Sequence, residues 1–199
     1  MSVKTAVLVS GGGTNLQALI DASVRGELPH VDLCLVVSSN PDAYALRRAE
    51  NAGIEAVAIP RKGMAQDAFE DQLLNALKER GVKMVILAGF MSILSERVIR
   101  AYPNAILNVH PSLIPAFCGK GFYGLRVHEA ALKRGVKVTG CTVHLVNEIP
   151  DGGPILAQKA VEILENDTPE TLQRRVMETC EWKLLPACAE QVAARLENA

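Results

Sequence analysis

The fold is decided by the stretch Thr5-Ala6-Val7-Leu8-Val9-Ser10-Gly11-Gly12-Gly13-Thr14-Asn15-Leu16-Gln17. Its apolar first part is typical of a buried strand, and the residues after the glycines have the periodicity of a helix. A strand that leads into a helix is the repeating unit of α/β proteins with a parallel sheet. The first half of the chain continues this alternation. We predict strands at 5–10, 31–38, 55–59, 84–88 and 106–109, with helices at about 16–25, 43–52, 68–80 and 95–102.

The predicted strands are rich in valine, isoleucine and leucine, as expected where helices cover both faces of a sheet. We therefore expect an α/β fold with a doubly wound, mostly parallel sheet. The second half begins with a loop at 111–125 and a short helix at 127–134. Two β-rich runs at 138–146 and 155–163 then predict a hairpin. A long final helix is expected from Thr168 towards Leu196, with Pro169 at its favoured first position and Pro186 kinking or splitting it.

Composition limits the classes of function. The 199 residues are 49% hydrophobic, which fits one domain or two tightly fused halves. The formal net charge of −1 gives no general attraction to nucleic acid or to a membrane surface. Five cysteines without a CxxC pair indicate reduced thiols. No signal peptide or membrane-spanning run is recognisable, so we expect a cytoplasmic protein that binds neither nucleic acid nor membranes.

The glycine loop at 10–17 predicts an anion site. Helix N-terminal amides and the helix dipole attract negative charge, and glycines let a ligand approach the backbone. A dinucleotide fingerprint fails, because there is no third glycine near Leu16 and no acidic residue at Ser38-Ser39-Asn40. A P-loop is also excluded, because the Gly-Lys-Ser/Thr that this motif requires is absent. We favour a monophosphate site; the alternative is a tight turn without a ligand. Thr14 and Gln17 also fit a capping box.

The second motif is Asn108-Val109-His110-Pro111-Ser112-Leu113-Ile114-Pro115, at the end of a buried strand. Alternate side chains of a strand share a face, so Asn108 and His110 point the same way. An amide can donate to an oxyanion, and an imidazole can move a proton near neutral pH. Asp151, in the turn Pro150-Asp151-Gly152-Gly153-Pro154, would orient His110 and favour its imidazolium. The alternatives are a structural histidine and an aspartate that bonds only its own turn.

Other chemistries fit the sequence less well. The four histidines lack HxH or HExxH spacing and a partnering cysteine pair, so we expect no metal site. Ser112 lacks the glycines of a nucleophile elbow. We expect His144 to be a buried structural residue, with a supporting role behind the site as the alternative, and His30 and His128 to be surface positions.

With these residues in place, the chain resembles the phosphoribosylglycinamide formyltransferase family, folate-dependent enzymes of purine synthesis. The shared motifs are the opening Ser-Gly-x-Gly-Thr-Asn-Leu-Gln, Leu87-Ala88-Gly89-Phe90-Met91, Asn-x-His-Pro-Ser-Leu-x-Pro, and Thr142-Val143-His144 leading to Asp151. The resemblance implies a Rossmann-like formyltransferase fold across 1–199, with a phosphate-binding half at 1–104 and a catalytic, folate-binding half at 105–199. It implies formyl transfer from 10-formyltetrahydrofolate to 5-phosphoribosylglycinamide by direct attack, with small molecules as the partners and a monomer or homodimer as the assembly.

The resemblance also implies the site residues. Asn108, His110 and Asp151 would be catalytic. Substrate phosphate and ribose would meet Gly13, Thr14, Asn15, Leu16, Gln17, Glu178 and Glu181. Folate would meet Met91, Ser92, Ile93, Leu94, Asn108, Asn147, Glu148, Ile149, Pro150 and Asp151.

The chain departs from the family at two positions. The family often has arginine where Ser92 stands, and an arginine that commonly contacts the folate tail aligns with about Gln66; Arg61 or Lys62 are possible substitutes. The loop at 118–124 is longer than in some members and has no assigned role. The rival formyl enzymes are methionyl-tRNA formyltransferase, expected to carry an RNA-binding domain and a basic surface, and formyltetrahydrofolate deformylase, expected to carry an N-terminal regulatory domain. The alternative from a different functional class is a ligand-binding protein of the same fold that has no catalytic activity.

Overall fold

The computed structural model describes residues 2–198. Its strands and helices alternate through the first half and separate in the second. In chain order the elements are β1 (Val3–Val9), α1 (Thr14–Val24), β2 (Val31–Ser38), α2 (Tyr44–Asn51), β3 (Glu55–Ala58), α3 (Gln66–Glu79), β4 (Met84–Leu87), α4 (Glu96–Ala101), β5 (Ile106–His110), α5 (Leu125–Arg134), β6 (Val138–Leu145), β7 (Ile155–Glu162), α6 (Pro169–Val176) and α7 (Trp182–Glu197).

The strands form one sheet in the order β3-β2-β1-β4-β5-β6-β7. The first five strands pair in parallel, whereas β5 with β6 and β6 with β7 pair antiparallel. The predicted mostly parallel α/β sheet and the hairpin are therefore confirmed. Because β4 pairs with β5, the sheet runs continuously across the expected division at residue 104.

Helices cover both faces of the sheet. Val7 and Val9 of β1 join a core cluster with Leu16 and Leu19 of α1 and with α7, on one face. Ala6 and Leu8 of the same strand point the other way, into a cluster with the fully buried Phe69 of α3. This alternation follows from the two-residue period of a strand. It explains why the strands are apolar throughout rather than alternately polar. Within residues 2–198, no helix has the length and apolar character needed to cross a membrane.

The final helical segment is interrupted, but not where we expected. Thr168 caps α6 by accepting from the Thr171 backbone N–H, and Pro169 is the first helical residue, as predicted. A π-helical turn, Met177–Glu181, then separates α6 from α7. Pro186 lies inside α7 and does not split the helix, so that alternative is wrong, while a kink at Pro186 stays a prediction. Single π-turns inside helices are frequent at functional sites, and this one contains Glu181.

Candidate active site

The site lies at the carboxyl edge of the sheet. Because β1, β4 and β5 run parallel, the loops that follow them emerge at the same edge. The Ser10 hydroxyl after β1 accepts a hydrogen bond of 2.9 Å from the backbone N–H of Met91 after β4. In open α/β sheets, ligands bind beyond these strand ends. The three motifs singled out in the sequence therefore face one region.

Asn108, His110 and Asp151 come together there. The Asn108 Nδ2 donates to Asp151 Oδ1 at 3.3 Å. The His110 Nδ1 lies 3.6 Å from Asp151 Oδ2, within ion-pair distance. Asn108 and His110 share a strand face, as their spacing indicated, and the turn after β6 supplies the aspartate. The arrangement places an amide donor and an imidazole each beside the same carboxylate.

His144 completes this cluster and was underestimated from the sequence. It is the cross-strand partner of Asn108 in the antiparallel β5/β6 pair, and its Nε2 lies 3.1 Å from Asn108 Nδ2. Its Nδ1 lies 2.8 Å from the Leu145 carbonyl oxygen. A proton on Nδ1 leaves Nε2 free to accept from Asn108. His144 is therefore buried, as expected, but it touches two of the three candidate catalytic residues directly.

The Asp151 carboxylate is held in its ionised form. Burial of the side chain, which is 15% exposed, acts to raise its pKa. The charge of His110 and the hydrogen bond from the Gly119 backbone N–H at 2.8 Å act against burial, and the net pKa of Asp151 lies below its usual range. Asp151 can therefore act as a fixed negative charge beside the two imidazoles. Within 2–198, no group of three or more His, Cys, Asp or Glu side chains is placed to hold a metal ion.

The loop after β5 closes over His110. The His110 Nε2 lies 2.8 Å from the Phe117 carbonyl oxygen, and two residues later Gly119 donates to Asp151. Both ring nitrogens of His110 thus face acceptors, an environment that suits the doubly protonated imidazolium. The sequence had left this loop without a role. Its backbone contacts depend on tertiary folding and carry no residue-type signal.

His128 corrects the sequence prediction. We expected a surface position, but the side chain is fully buried on the inner face of α5, together with Val127 and Ala131. Burial lowers its pKa to about 4, with a smaller contribution from the charge of His110. His128 is therefore neutral at physiological pH. His30 is only partly exposed and pairs with Glu190.

A cavity of about 540 Å³ opens beside the cluster. All ten residues that the sequence assigned to folate line it, including Met91, Ile149 and Asp151. Gly89 and Phe90 of the shared motif at 87–91 also line it, as do the loop residues 119–124, to which the sequence had given no role. Its size and its mostly apolar wall with a few convergent polar groups are typical of a site for a small organic molecule.

The glycine loop is shaped by packing as well as by any ligand. Gly13 has φ +74°, and a Cβ there would lie 2.6 Å from the Ala45 Cβ. Gly13 itself occupies the N-cap position without a side-chain cap, so the predicted capping box is wrong. The helix begins at Thr14, and the Gln17 side chain instead bonds Asp21 and Arg48. Leu16 is fully buried, so its side chain belongs to the core and cannot itself contact a ligand.

Asn15 and Glu181 form a buried pair that links this loop to the π-turn. The Asn15 Nδ2 donates to Glu181 Oε2 at 2.6 Å. Desolvation raises the pKa of Glu181 to about 7, opposed by the hydrogen bond from Asn15. Glu178, one turn earlier, is exposed beside Thr14 and Gln17 in a smaller cavity of about 320 Å³. The residues assigned to phosphate and ribose therefore lie together, around α1 and the π-turn.

Comparisons with known proteins place this geometry in a family. A sequence profile described as formyl transferase matches residues 3–188. Phosphoribosylglycinamide formyltransferase of Bacillus subtilis is 38% identical over 190 residues, covering 95% of this chain and 94% of that protein. The chloroplastic phosphoribosylglycinamide formyltransferase of Arabidopsis thaliana is 41% identical over 180 residues; they cover 87% of this chain, which spans 60% of that relative's length.

Comparison of the fold with solved structures leads to the same group of enzymes. The crystal structure of glycinamide ribonucleotide transformylase 1 from Symbiobacterium toebii superposes with a TM-score of 0.90 at 40% identity. The superposition covers 98% of this chain and 89% of that one. Sequence profile and structure agree over nearly the full length. The chain belongs to the formyl transferase family.

Proposed function

We propose that this chain transfers a formyl group from 10-formyltetrahydrofolate to the amine of 5-phosphoribosylglycinamide. The observation that carries the proposal is the contact of Asn108, His110 and Asp151 at the wall of the 540 Å³ cavity. The names of the full-length bacterial relative and of the superposed structure support the same reaction. The proposed partners are small molecules, and the chain acts as a monomer or homodimer.

The cavity suits the proposed donor. Its lining includes exposed apolar side chains, Met91 and Ile93, which can pack against aromatic rings. The segment 147–151 offers backbone groups and the Asp151 carboxylate at the other wall. When bound, 10-formyltetrahydrofolate supplies the formyl group that is transferred. No metal is required by this scheme.

The catalytic roles follow from the contacts. Asn108 and the His110 imidazolium would stabilise the negative charge that develops on the formyl oxygen during attack by the substrate amine. Asp151 would keep His110 charged and help to relay a proton from the amine to the leaving nitrogen. Both Asn108 amide hydrogens are engaged by His144 and Asp151, so one of them must turn towards the formyl oxygen.

The acceptor would bind along the start of α1. Backbone N–H groups of Gly13, Thr14 and Asn15, with that of Leu16, would hold the phosphate at the positive end of the helix dipole. Glu181 would accept from the ribose hydroxyls, and the exposed Glu178 and Gln17 would lie at the rim of this site.

An assay of formyl transfer with isotopically labelled 10-formyltetrahydrofolate tests the proposal. The label should appear on 5-phosphoribosylglycinamide and depend on it. Release of labelled formate without acceptor would instead indicate a deformylase. Transfer to methionyl-tRNA would indicate the other rival, and no turnover with bound ligands would indicate a binding module.

A further inference from the structure

The outer wall of the larger cavity, residues 91–94, carries exposed apolar side chains and is anchored at one end by Leu94, which is buried in the core. Ile93 is 66% exposed and Met91 53%, and both line the cavity. Because these two side chains gain little from packing, hydrogen bonds to the loop backbone help to hold them in place. On one side, the Met91 N–H donates to the Ser10 hydroxyl.

Gln66, the first residue of α3, supplies the bond on the other side. Its Nε2 donates to the Ile93 carbonyl oxygen at 3.1 Å and to Glu70 Oε1 at 2.6 Å. Its Oε1 accepts from the Arg61 guanidinium at 2.8 Å. Both ends of the amide are therefore engaged by the protein itself.

The Glu70 carboxylate, to which Gln66 donates, is held rigidly. Glu70 has no exposed surface, and it accepts from the Ser95 backbone N–H at 2.7 Å at the start of α4. Burial acts to raise the pKa of Glu70, but the bonds from Ser95 and Gln66 outweigh it and keep the carboxylate ionised. The residue before Glu70 on α3, Phe69, stacks on Phe90 with ring centroids 6.3 Å apart. The amide is thus anchored to a fixed carboxylate and a fixed helix.

We propose that Gln66 is a positioning residue, which sets the affinity for the formyl donor by holding the outer wall through the Ile93 carbonyl. The inference rests on the proposed function, because the donor is assigned to this cavity there. Gln66 acts through the wall and does not touch the donor's glutamate tail, since its amide is already committed to Arg61, Glu70 and Ile93.

The test uses Gln66→Leu, which keeps the approximate size but removes the amide, and Gln66→Met, which also removes the amide but keeps an unbranched, uncharged side chain. The matched control is Gln72→Leu on the same helix, whose exposed amide contacts only the Met64 sulfur at 3.8 Å. Steady-state formyl transfer is measured with donors that carry one or three glutamates. Thermal denaturation midpoints check that each variant is folded.

Loss of one hydrogen bond of ordinary strength predicts a rise of about three- to tenfold in the KM for the donor in both Gln66 variants. The rise should be equal for the two donors, with kcat and the KM for the acceptor within about twofold of wild type, and Gln72→Leu unchanged. An unchanged donor KM in folded Gln66 variants overturns the inference. A rise confined to the longer donor also overturns it, because it indicates direct contact with the tail. Absence of formyl transfer in the wild type would instead overturn the proposed function.

Discussion

Replacement of Asp151 by asparagine removes one negative charge and one of the two acceptor oxygens. The asparagine keeps the size of the side chain and an oxygen that can accept from the Gly119 N–H, now 2.8 Å from the carboxylate, but its amide nitrogen cannot accept from Asn108 as Oδ1 does. The larger loss is the proposed attraction between Asp151 and a charged His110 across 3.6 Å. At an effective dielectric constant of about 20, two unit charges at this separation interact by roughly 4–5 kcal/mol.

We expect only part of this energy to be lost, because water and neighbouring dipoles compensate. A loss of about 3–4 kcal/mol in transition-state stabilisation corresponds to a fall of roughly 10²–10³-fold in kcat. Rapid-quench measurement of formyl transfer under single-turnover conditions gives the chemical rate directly, and titration with each substrate gives its dissociation constant. A rate within tenfold of wild type, or a defect confined to substrate binding, would refute the assigned role of Asp151.

Two further predictions concern the acceptor side. Gly13→Ala should destabilise the fold by about 2–4 kcal/mol, from the left-handed backbone and the clash with Ala45, whereas Gly12→Ala, with open space around it, should be tolerated; equal denaturation midpoints for the two variants would contradict this. The raised pKa of Glu181, about 7, means that the folded state loses stability as pH rises from about 4.5 to 7 and the buried carboxyl ionises. Glu181→Gln, which avoids this cost, should therefore gain about 2–3 kcal/mol relative to wild type between pH 5 and pH 8 in urea unfolding; a difference that is constant with pH would show that the carboxyl is not desolvated.

The parallel part of the fold was predictable because its signals are local. Residues 31–38 form a strand as predicted, since an apolar run of this length bounded by turns has few alternatives. The juxtaposition of Asn108 and His110 was predictable for a similar reason, because the two-residue period of a strand fixes their common face. The ten residues that the family resemblance assigns to folate line one cavity, and that assignment came from the shared motifs rather than from local physics; folate binding there stays a prediction.

The missed features are nonlocal. His144 contacts Asn108 only because β6 pairs antiparallel with β5, and no single-strand pattern specifies that register. His128 was predicted to be a surface position, yet its face of α5 packs inwards. The π-turn at Met177–Glu181 contains no proline or glycine, so the sequence gives no sign that the helix is interrupted there. The predicted capping box of Thr14 and Gln17 is replaced by Gly13 at the N-cap position. Its left-handed backbone begins the helix without a side-chain acceptor.

The most direct test of the assigned site is the single-turnover rate of formyl transfer in His110→Ala, measured beside Asn108→Ala. Each variant removes one donor to the developing charge on the formyl oxygen, for which the typical cost is on the order of 10²–10³ in rate. The dissociation constant for 5-phosphoribosylglycinamide should remain within a few-fold of wild type, because the proposed phosphate site is formed by the start of α1 and not by His110 or Asn108. A near-normal rate in His110→Ala would contradict the assignment of Asn108, His110 and Asp151 as the catalytic centre.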